Sequence, residues 1–307
     1  MYLARFTETG HKHSKLHVID LRQRKTYATR PINVCVQRDF NKVVSPDLAE
    51  DALEAALSKV ESVIRPALDE VSRTRRTGRT RAWVTVVNLM ALVGTRNPST
   101  RARAEQFYTE AMLKKYESET DTPEKFAALM AEAKAAGNVR KDIEADFEKH
   151  RVFLASRRFT MSFTPGFHVP GEFQGVDRMI RRLMERRWML LEAEEDTCGF
   201  VTTDRPLTLF KSDGSQIKPG ENLGLATPGT SVLFPLSPKL VALGTHNMNE
   251  GVTGLSRALV AKTNLTLIRY CESLVLSPHE RFEVAVPGRE EPVIGSDVLD
   301  IIGGRVE

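Results

Sequence analysis

The chain has 307 residues and a formal net charge of +4, with 41% apolar and 27% charged residues, as is usual for a globular protein with a sizeable core. No stretch approaches the roughly 18 uncharged apolar residues of a membrane span, and the N-terminus lacks the apolar core of a signal peptide. Cys35, Cys198 and Cys271 fit neither a disulfide framework nor a Cys-x-x-Cys metal site, so we expect a cytoplasmic protein with reduced, buried thiols.

The N-terminal part predicts a β-hairpin followed by two helices packed in the core. Two β-prone runs flank a polar turn within residues 1–44. Residues 45–65 predict an amphipathic helix, in which Ser45 is the N-cap and Pro66 kinks or ends the helix. Residues 82–95 are apolar on nearly all sides, which predicts a buried helix. The stripe expected to face it consists of Leu53, Ala56, Leu57, Val60, Val63 and Ile64.

Further helices and then strands are predicted along the rest of the chain. Helices are expected over 104–120, 121–138, 139–159 and 173–195, strands within 199–210, 231–245 and 282–288, and a helix running into a short strand over 253–276. This order predicts an α+β fold. We expect one integrated domain over 1–307, with a hairpin (1–44), a helical middle (45–196) and an α/β C-terminal third (197–307).

Two arginine-rich stretches are candidates for binding phosphates. "RTRRTGRTR" at 73–81 and "DRMIRRLMERRW" at 177–188 carry five arginines each. Arg75 and Arg76 in the first and Arg182 and Arg186 in the second are the candidate binding residues. The alternative is that both stretches are solvated helix faces or connecting turns.

Glu54 and Glu61 are separated by two helical turns, so their carboxylates are expected on one face, about 10 Å apart along the axis. Such carboxylates can be ligands of a divalent cation, or one of them a general base. The alternative is a pair of surface glutamates that interact with bases such as Arg65.

Arg96 and Asp204 are the other two candidate catalytic residues. Arg96 ends an apolar helix, where it either interacts with the helix C-terminus or clamps a buried carboxylate or phosphate. Asp204 follows a β-prone run, and Pro206 must end or bulge that strand. Asp204 is therefore either a turn-capping carboxylate or a catalytic or metal-binding acid. We expect it to be largely buried and to accept hydrogen bonds from backbone N–H groups or from an arginine, with Arg96 the first candidate.

Six segments in order resemble a known family. They are "YLARF" at the start, "LEAALSKVE" (53–61), "MALVGTRNPSTR" (90–101), "VTTDRP", "FPLSP" and "VAKTNLTLIRYCESLVLSP". Together they resemble the domain-of-unknown-function family number 4238, over nearly the whole chain. The resemblance implies no activity. Asn264, which lies in the last segment, is a further candidate binding residue. Family members usually begin with a His-Tyr-Val-Pro segment, so we expect an in-frame His-containing segment upstream of Met1.

Two functional hypotheses follow from these residues. The first is a hydrolase acting on nucleic acid, with Glu54, Glu61 and Asp204 as acids or Mg²⁺ ligands and Arg96 as a phosphate clamp. The second is a non-catalytic module that binds nucleic acid or an acidic protein through its arginines. The sequence lacks the motifs of P-loop NTPases, Rossmann dehydrogenases, α/β-hydrolases and zincins. Convergence of the four candidate residues would favour the enzyme, and scattered positions would favour the module.

Overall fold

The computed structural model describes residues 2–35, 52–218, 221, 223–289 and 291–302. The predicted α+β class is confirmed. Contacts divide the chain into two compact units, one formed by Met1–Asn97 with Val169–Glu307 and the other by Pro98–His168. None of the helices in the described segments is long and apolar enough to cross a bilayer.

The larger unit begins with a short 3₁₀ helix, Tyr2–Phe6, and the predicted hairpin. Its strands are β1 (Leu16–Asp20) and β2 (Lys25–Thr29), and a second 3₁₀ turn, Pro31–Asn33, follows directly. Because proline has no N–H to donate to a ladder, Pro31 stands just past the strand end.

The two predicted core helices are α1 (Ala52–Thr74) and α2 (Arg81–Thr95). The prediction for α2 is confirmed, since Val86 is fully buried and the Thr80 side chain caps the helix by accepting from the Trp83 N–H at 3.2 Å. Two details of α1 were wrong. The helix continues eight residues past Pro66, and Val60 and Val63 are exposed, because contact with the core is made by the later turns at Ile64, Ala67, Leu68 and Val71. The predicted N-cap Ser45 lies outside the described residues.

The helix predicted over 173–195 is wrong in its second half. The helix α6 runs over Pro165–Met184, and Arg187–Ala193 is the strand β3. The run Trp188-Met-Leu-Leu is apolar throughout, so its pattern fits a buried strand as well as a buried helix. Trp188 packs flat over Gly244, where an added Cβ would come within 2.8 Å of the ring, so the strand needs glycine opposite the indole.

The remaining strands of the larger unit form two main sheets. They are β4 (Thr202–Thr203), β5 (Thr208–Lys211), β6 (Thr230–Ser237), β7 (Leu240–Thr245), β8 (Gly251–Leu255), β9 (Leu274–Ser277), β10 (Glu283–Val284) and β11 (Val293–Ile294). One sheet has the order β2-β1-β9-β4 and the other β5-β6-β7-β3-β8, while β10 pairs with β11. All pairs are antiparallel except β3 with β8. The helix followed by a short strand that was predicted over 253–276 is confirmed by α7 (Arg257–Arg269) and β9. A short helix, α8, spans Val298–Ile302.

The second unit is helical in its described residues, with α3 (Pro98–Glu119), α4 (Pro123–Ala135) and α5 (Phe147–Ser156). Thr122 caps α4 by accepting the Lys125 N–H on its side-chain hydroxyl at 3.3 Å. The helix predicted over 139–159 forms only from Phe147, because Asp146 accepts the Lys149 N–H at 3.0 Å and so fixes the N-terminus there.

Candidate functional site

Asp204 lies directly after β4, as predicted for an acid at a strand end. Its Oδ1 accepts the N–H of Glu272 at 2.9 Å, and its Oδ2 accepts the N–H groups of Ser273 and Leu274 at 2.8 and 2.9 Å. The Ser273 hydroxyl adds a fourth bond at 3.1 Å. A carboxylate offers about four lone-pair sites, so little accepting capacity remains for a metal or substrate. Asp204 holds the 272–274 loop in place.

The expectation for Asp204 was wrong in one part, because the residue is half-buried rather than largely buried. Of the two kinds of partner predicted for it, the backbone N–H groups are confirmed, since the strand end faces the loop before β9. Its hydrogen bonds therefore come from this loop and not from the other candidate, Arg96.

Asn264 is fully buried in α7 and is not a surface binding residue. Its Oδ1 accepts the Val201 N–H at 3.0 Å, and its amide donates to the carbonyls of Gly199 and Glu283 at 3.0 and 2.9 Å. These bonds join the helix to the segment before β4 and to β10. The predicted binding role does not fit this position, since the amide is enclosed and its donors are used by the chain itself.

The first segment, "YLARF", bonds to the later ones in the same way. The Tyr2 hydroxyl contacts Thr202 Oγ1 at 2.8 Å and donates to the Pro235 carbonyl at 2.7 Å. Arg5 donates to the Leu236 carbonyl at 2.8 Å and also pairs with Asp69 of α1. β5 pairs with β6 only as far as Leu233, so these two carbonyls accept from the N-terminal turn instead of a neighbouring strand. We call Tyr2, Arg5, Asp204 and Asn264 the motif network.

The acids Glu54 and Glu61 are both on α1, as predicted. Glu61 is exposed, and its carboxylate makes no ion pair with another described residue. The backbone of Glu54 belongs to α1, and its side chain lies outside the described part of the chain. Val60 and Val63, on either side of Glu61, are exposed as well, so this part of the helix does not border the core of the unit.

Arg96 is the C-cap residue of α2 and has a buried side chain that pairs with a carboxylate, which was the second alternative given for it. Its Nη1 lies 3.4 Å from Oε2 of Glu172, whose carboxylate is also buried. The guanidinium stands over the Phe173 ring, 5.3 Å from the centroid. Arg96 therefore clamps a carboxylate, and that carboxylate belongs to the chain.

Among the described residues, the predicted catalytic side chains make no contact with one another. Asp204 bonds the 272–274 loop, Arg96 pairs with Glu172, and Glu61 faces solvent. The same residues include no group of three or more His, Cys, Asp or Glu that could hold a metal ion. Within the described side chains, Asp204, Arg96 and Glu61 therefore do not form a shared acidic site.

The second arginine-rich stretch, 177–188, crosses from α6 into β3. Arg186 is buried, donates from Nη1 to the carbonyls of Thr230 and Gly244 at 2.8 and 3.1 Å, and donates from Nη2 to Leu225 and Thr230. Burial lowers the pKa of Arg186 to about 10, so it remains charged at neutral pH. The predicted phosphate contact by Arg186 is therefore wrong, because the residue is buried and both of its Nη groups donate to oxygens of the chain itself. Arg182 is exposed and pairs with Glu185 at 2.9 Å.

The first stretch forms the end of α1, the connecting turn and the start of α2, and we call residues 73–81 the arginine loop. Gly78 makes the turn with a φ of +80°, a conformation that favours glycine. Arg75 pairs with Glu192 of β3, and Glu250 lies beside Gly78. The other four arginines are exposed, and none makes an ion pair within the described residues: Arg73, Arg76, Arg79 and Arg81.

Glu172 and Glu283 are two buried acids that sequence reasoning did not single out. Glu283 is 1% exposed, and its carboxylate accepts from the Cys198 N–H at 3.1 Å and from Arg257 at 3.1 Å. Its neighbours Phe282 and Val284 are buried too, so strand alternation would place Glu283 toward solvent. A buried glutamate in such a run gives no local signal. Two thiols also differ from expectation, since Cys35 and Cys198 are exposed.

A family model described as "Protein of unknown function (DUF4238)" matches residues 1–280. The chain belongs to this family. No curated protein and no solved structure matches the chain. The resemblance drawn from the six segments is thereby confirmed.

The DUF4238 segments contribute the motif network. Tyr2 and Arg5 of "YLARF" bond the carbonyls of "FPLSP", and Asp204 of "VTTDRP" bonds the backbone of "CESL" within the last segment. Asn264 of the same last segment accepts from the N–H of Val201, the first residue of "VTTDRP", and donates to the carbonyl of Gly199 just before it. These polar residues satisfy backbone groups of other segments, which assigns them a role in specifying the fold.

Proposed function

We propose that this protein is a non-catalytic module that binds nucleic acid, and that the arginine loop contacts the phosphates. The proposal rests on one observation. Four arginines of the loop are exposed without an ion-pair partner among the described residues, and residues 73–81 include no acid. The stretch therefore carries a charge of +5 over nine residues, and within the described part of the chain Arg75 is the one arginine of the five that pairs with a carboxylate.

The chemistry of the loop fits phosphates better than it fits a single small anion. Guanidinium groups stay charged at all physiological pH values and match the oxygens of a phosphate with two parallel donors. The exposed arginines are spread over a turn and two helix ends, so they offer several separate contacts. A polyanion with regularly spaced charges gains from several weak contacts at once, with release of its counterions.

The alternative, a nucleic-acid hydrolase, has less support. Such chemistry needs a carboxylate free to bind a cation or to accept a proton near the phosphate. Asp204 uses its oxygens on the 272–274 loop, and Glu61 lies on an exposed helix surface away from any described acid partner. These features support binding without cleavage.

The test is the salt dependence of binding to a fluorescein-labelled single-stranded RNA, measured by anisotropy. The variant Arg76→Gln with Arg79→Gln and Arg81→Gln should weaken binding by roughly 10- to 100-fold at low salt. It should also reduce the slope of log K against log salt by about 2, since each lost contact to a single strand removes about 0.7. Incubation of the RNA with Mg²⁺ and the protein should leave it intact.

The matched control replaces Arg178, Arg181 and Arg182 with Gln, which removes the same charge from the other arginine-rich stretch. Asp177 and Glu185 already offset that stretch, so the slope should not change. Equal effects of the two triple variants would show that net charge alone drives binding. Displacement of the RNA by polyglutamate at equal charge concentration would instead favour an acidic protein as partner.

A further inference from the structure

A cavity of about 560 Å³ opens beside the loop that Asp204 holds. Its walls come from the C-terminal half of α7, the β1–β2 turn, the segment after β5, the chain after β10, and α8. This volume lies within the range of about 300–1,000 Å³ that is common for small-molecule sites. The side chains that form its floor are apolar: Leu21, Phe210, Leu265, Ile268, Val284 and Val298.

The apolar lining is incompletely covered. Leu21, Phe210 and Leu265 pack against the neighbouring core cluster yet are only half-buried, so part of each side chain faces the cavity. Apolar surface left in contact with water is unfavourable roughly in proportion to its area. An apolar ligand that displaced this water would be stabilised by the same surface.

Two arginines lie at the mouth of the cavity, and their surroundings differ. Arg22 is 3.9 Å from the carboxylate of Glu272, so its charge is partly offset. Arg269, in the last turn of α7, is exposed and makes no ion pair within the described part of the chain. Arg269 is therefore the cation at this mouth that is available to an anion.

Cys271 lines the cavity from the loop that precedes β9. Burial and the nearby carboxylates of Asp204 and Glu272 raise the pKa of its thiol. The group is therefore a neutral thiol at physiological pH and contributes a weakly polar wall, not a nucleophile. Because Asp204 bonds the backbone of this loop, the same hydrogen bonds also fix one wall of the cavity.

We propose that this cavity binds a small amphiphile with an apolar body and a carboxylate head, and that Arg269 receives the carboxylate. The apolar side chains of the cavity would contact the apolar body of the ligand. The Arg269 guanidinium, which makes no ion pair with another described residue, would bind its carboxylate. The proposal uses no residue of the arginine loop, so it can fail while the nucleic-acid proposal stands, and the reverse.

The experiment is isothermal titration of the full chain with decanoate and, separately, with decanol as a neutral molecule of the same chain length. We expect decanoate to bind more tightly than decanol. Arg269→Gln should weaken decanoate roughly tenfold, the usual scale for one charge-assisted contact, and leave decanol unchanged. Lys262→Gln removes a charge from the same helix outside the cavity and should change neither.

Leu265→Trp should fill the cavity and remove the binding of both molecules. If thermal unfolding shows that this variant does not fold, Thr266→Phe fills the same space from a half-buried position. Equal affinity of decanoate and decanol for the wild type, or unchanged decanoate binding in a folded, cavity-filled variant, would overturn the proposal.

Discussion

Residues 73–81 and 177–188 each carry five arginines, and in each stretch one arginine bonds to a distant part of the chain. In the first, Arg75 pairs with the carboxylate of Glu192 and stays partly exposed. In the second, Arg186 is buried, and carbonyl oxygens of three other residues accept its hydrogen bonds. The number of arginines therefore does not decide the role of a stretch. Its role depends on how many of the guanidinium donors already bond to acceptors within the chain.

Replacement of Arg186 should have the largest effect on stability. We expect Arg186→Met to lower the free energy of unfolding by about 3–5 kcal/mol, because several buried carbonyls lose a charged donor at once. Urea denaturation followed by circular dichroism measures the change. Arg182→Met, at the exposed pair with Glu185, should cost less than about 0.5 kcal/mol. Equal costs would mean that burial does not distinguish the two arginines.

Asp204 is an anion that accepts hydrogen bonds from backbone N–H groups, and its replacement should have the next largest effect. Asp204→Ala leaves three N–H groups of the 272–274 loop without their acceptor and should cost about 2–4 kcal/mol. Asp204→Asn keeps one oxygen and should cost about half as much. The same urea melts test both variants, and a stable Asp204→Asn protein that lost a measured activity would restore the catalytic hypothesis.

The smallest expected effects separate two neighbours within the arginine loop. Arg75→Gln should lower stability by about 0.5–1 kcal/mol, since its ion pair with Glu192 is partly exposed, and should leave RNA binding almost unchanged. Arg76→Gln should do the reverse, with unchanged stability and roughly threefold weaker binding. Thermal melts and RNA anisotropy on the same two preparations give both readouts. Identical behaviour of the two variants would remove the distinction between paired and unpaired arginines.

Local patterns in the sequence predicted much of the fold. The hairpin and α2 follow from β-prone runs around a polar turn and from all-round apolarity, each of which acts over a few residues. β3 could not be predicted, because its short apolar run fits a helix or a strand and only pairing with β7 and β8 decides between them.

The polar residues were harder to predict because their partners are remote. A strand-end acid that needs a partner could be inferred for Asp204, but its donors lie 68–70 residues further along the chain. Arg186 depends on carbonyls brought together by β6 and β7, about which its own neighbours carry no information. The buried state of Glu172 and Glu283 is set by the same long-range packing.

The bond from Tyr2 to the Pro235 carbonyl joins residues 233 positions apart. During synthesis the first turn of the chain must therefore wait for more than two hundred residues to emerge before its native partner exists. Closing a loop of that length has an entropic cost, and the contacts that offset it exist only once the sheet has formed. We expect docking of the N-terminal turn to be among the last steps of folding, with the nascent chain exposing Tyr2 and Phe6 to chaperones until then.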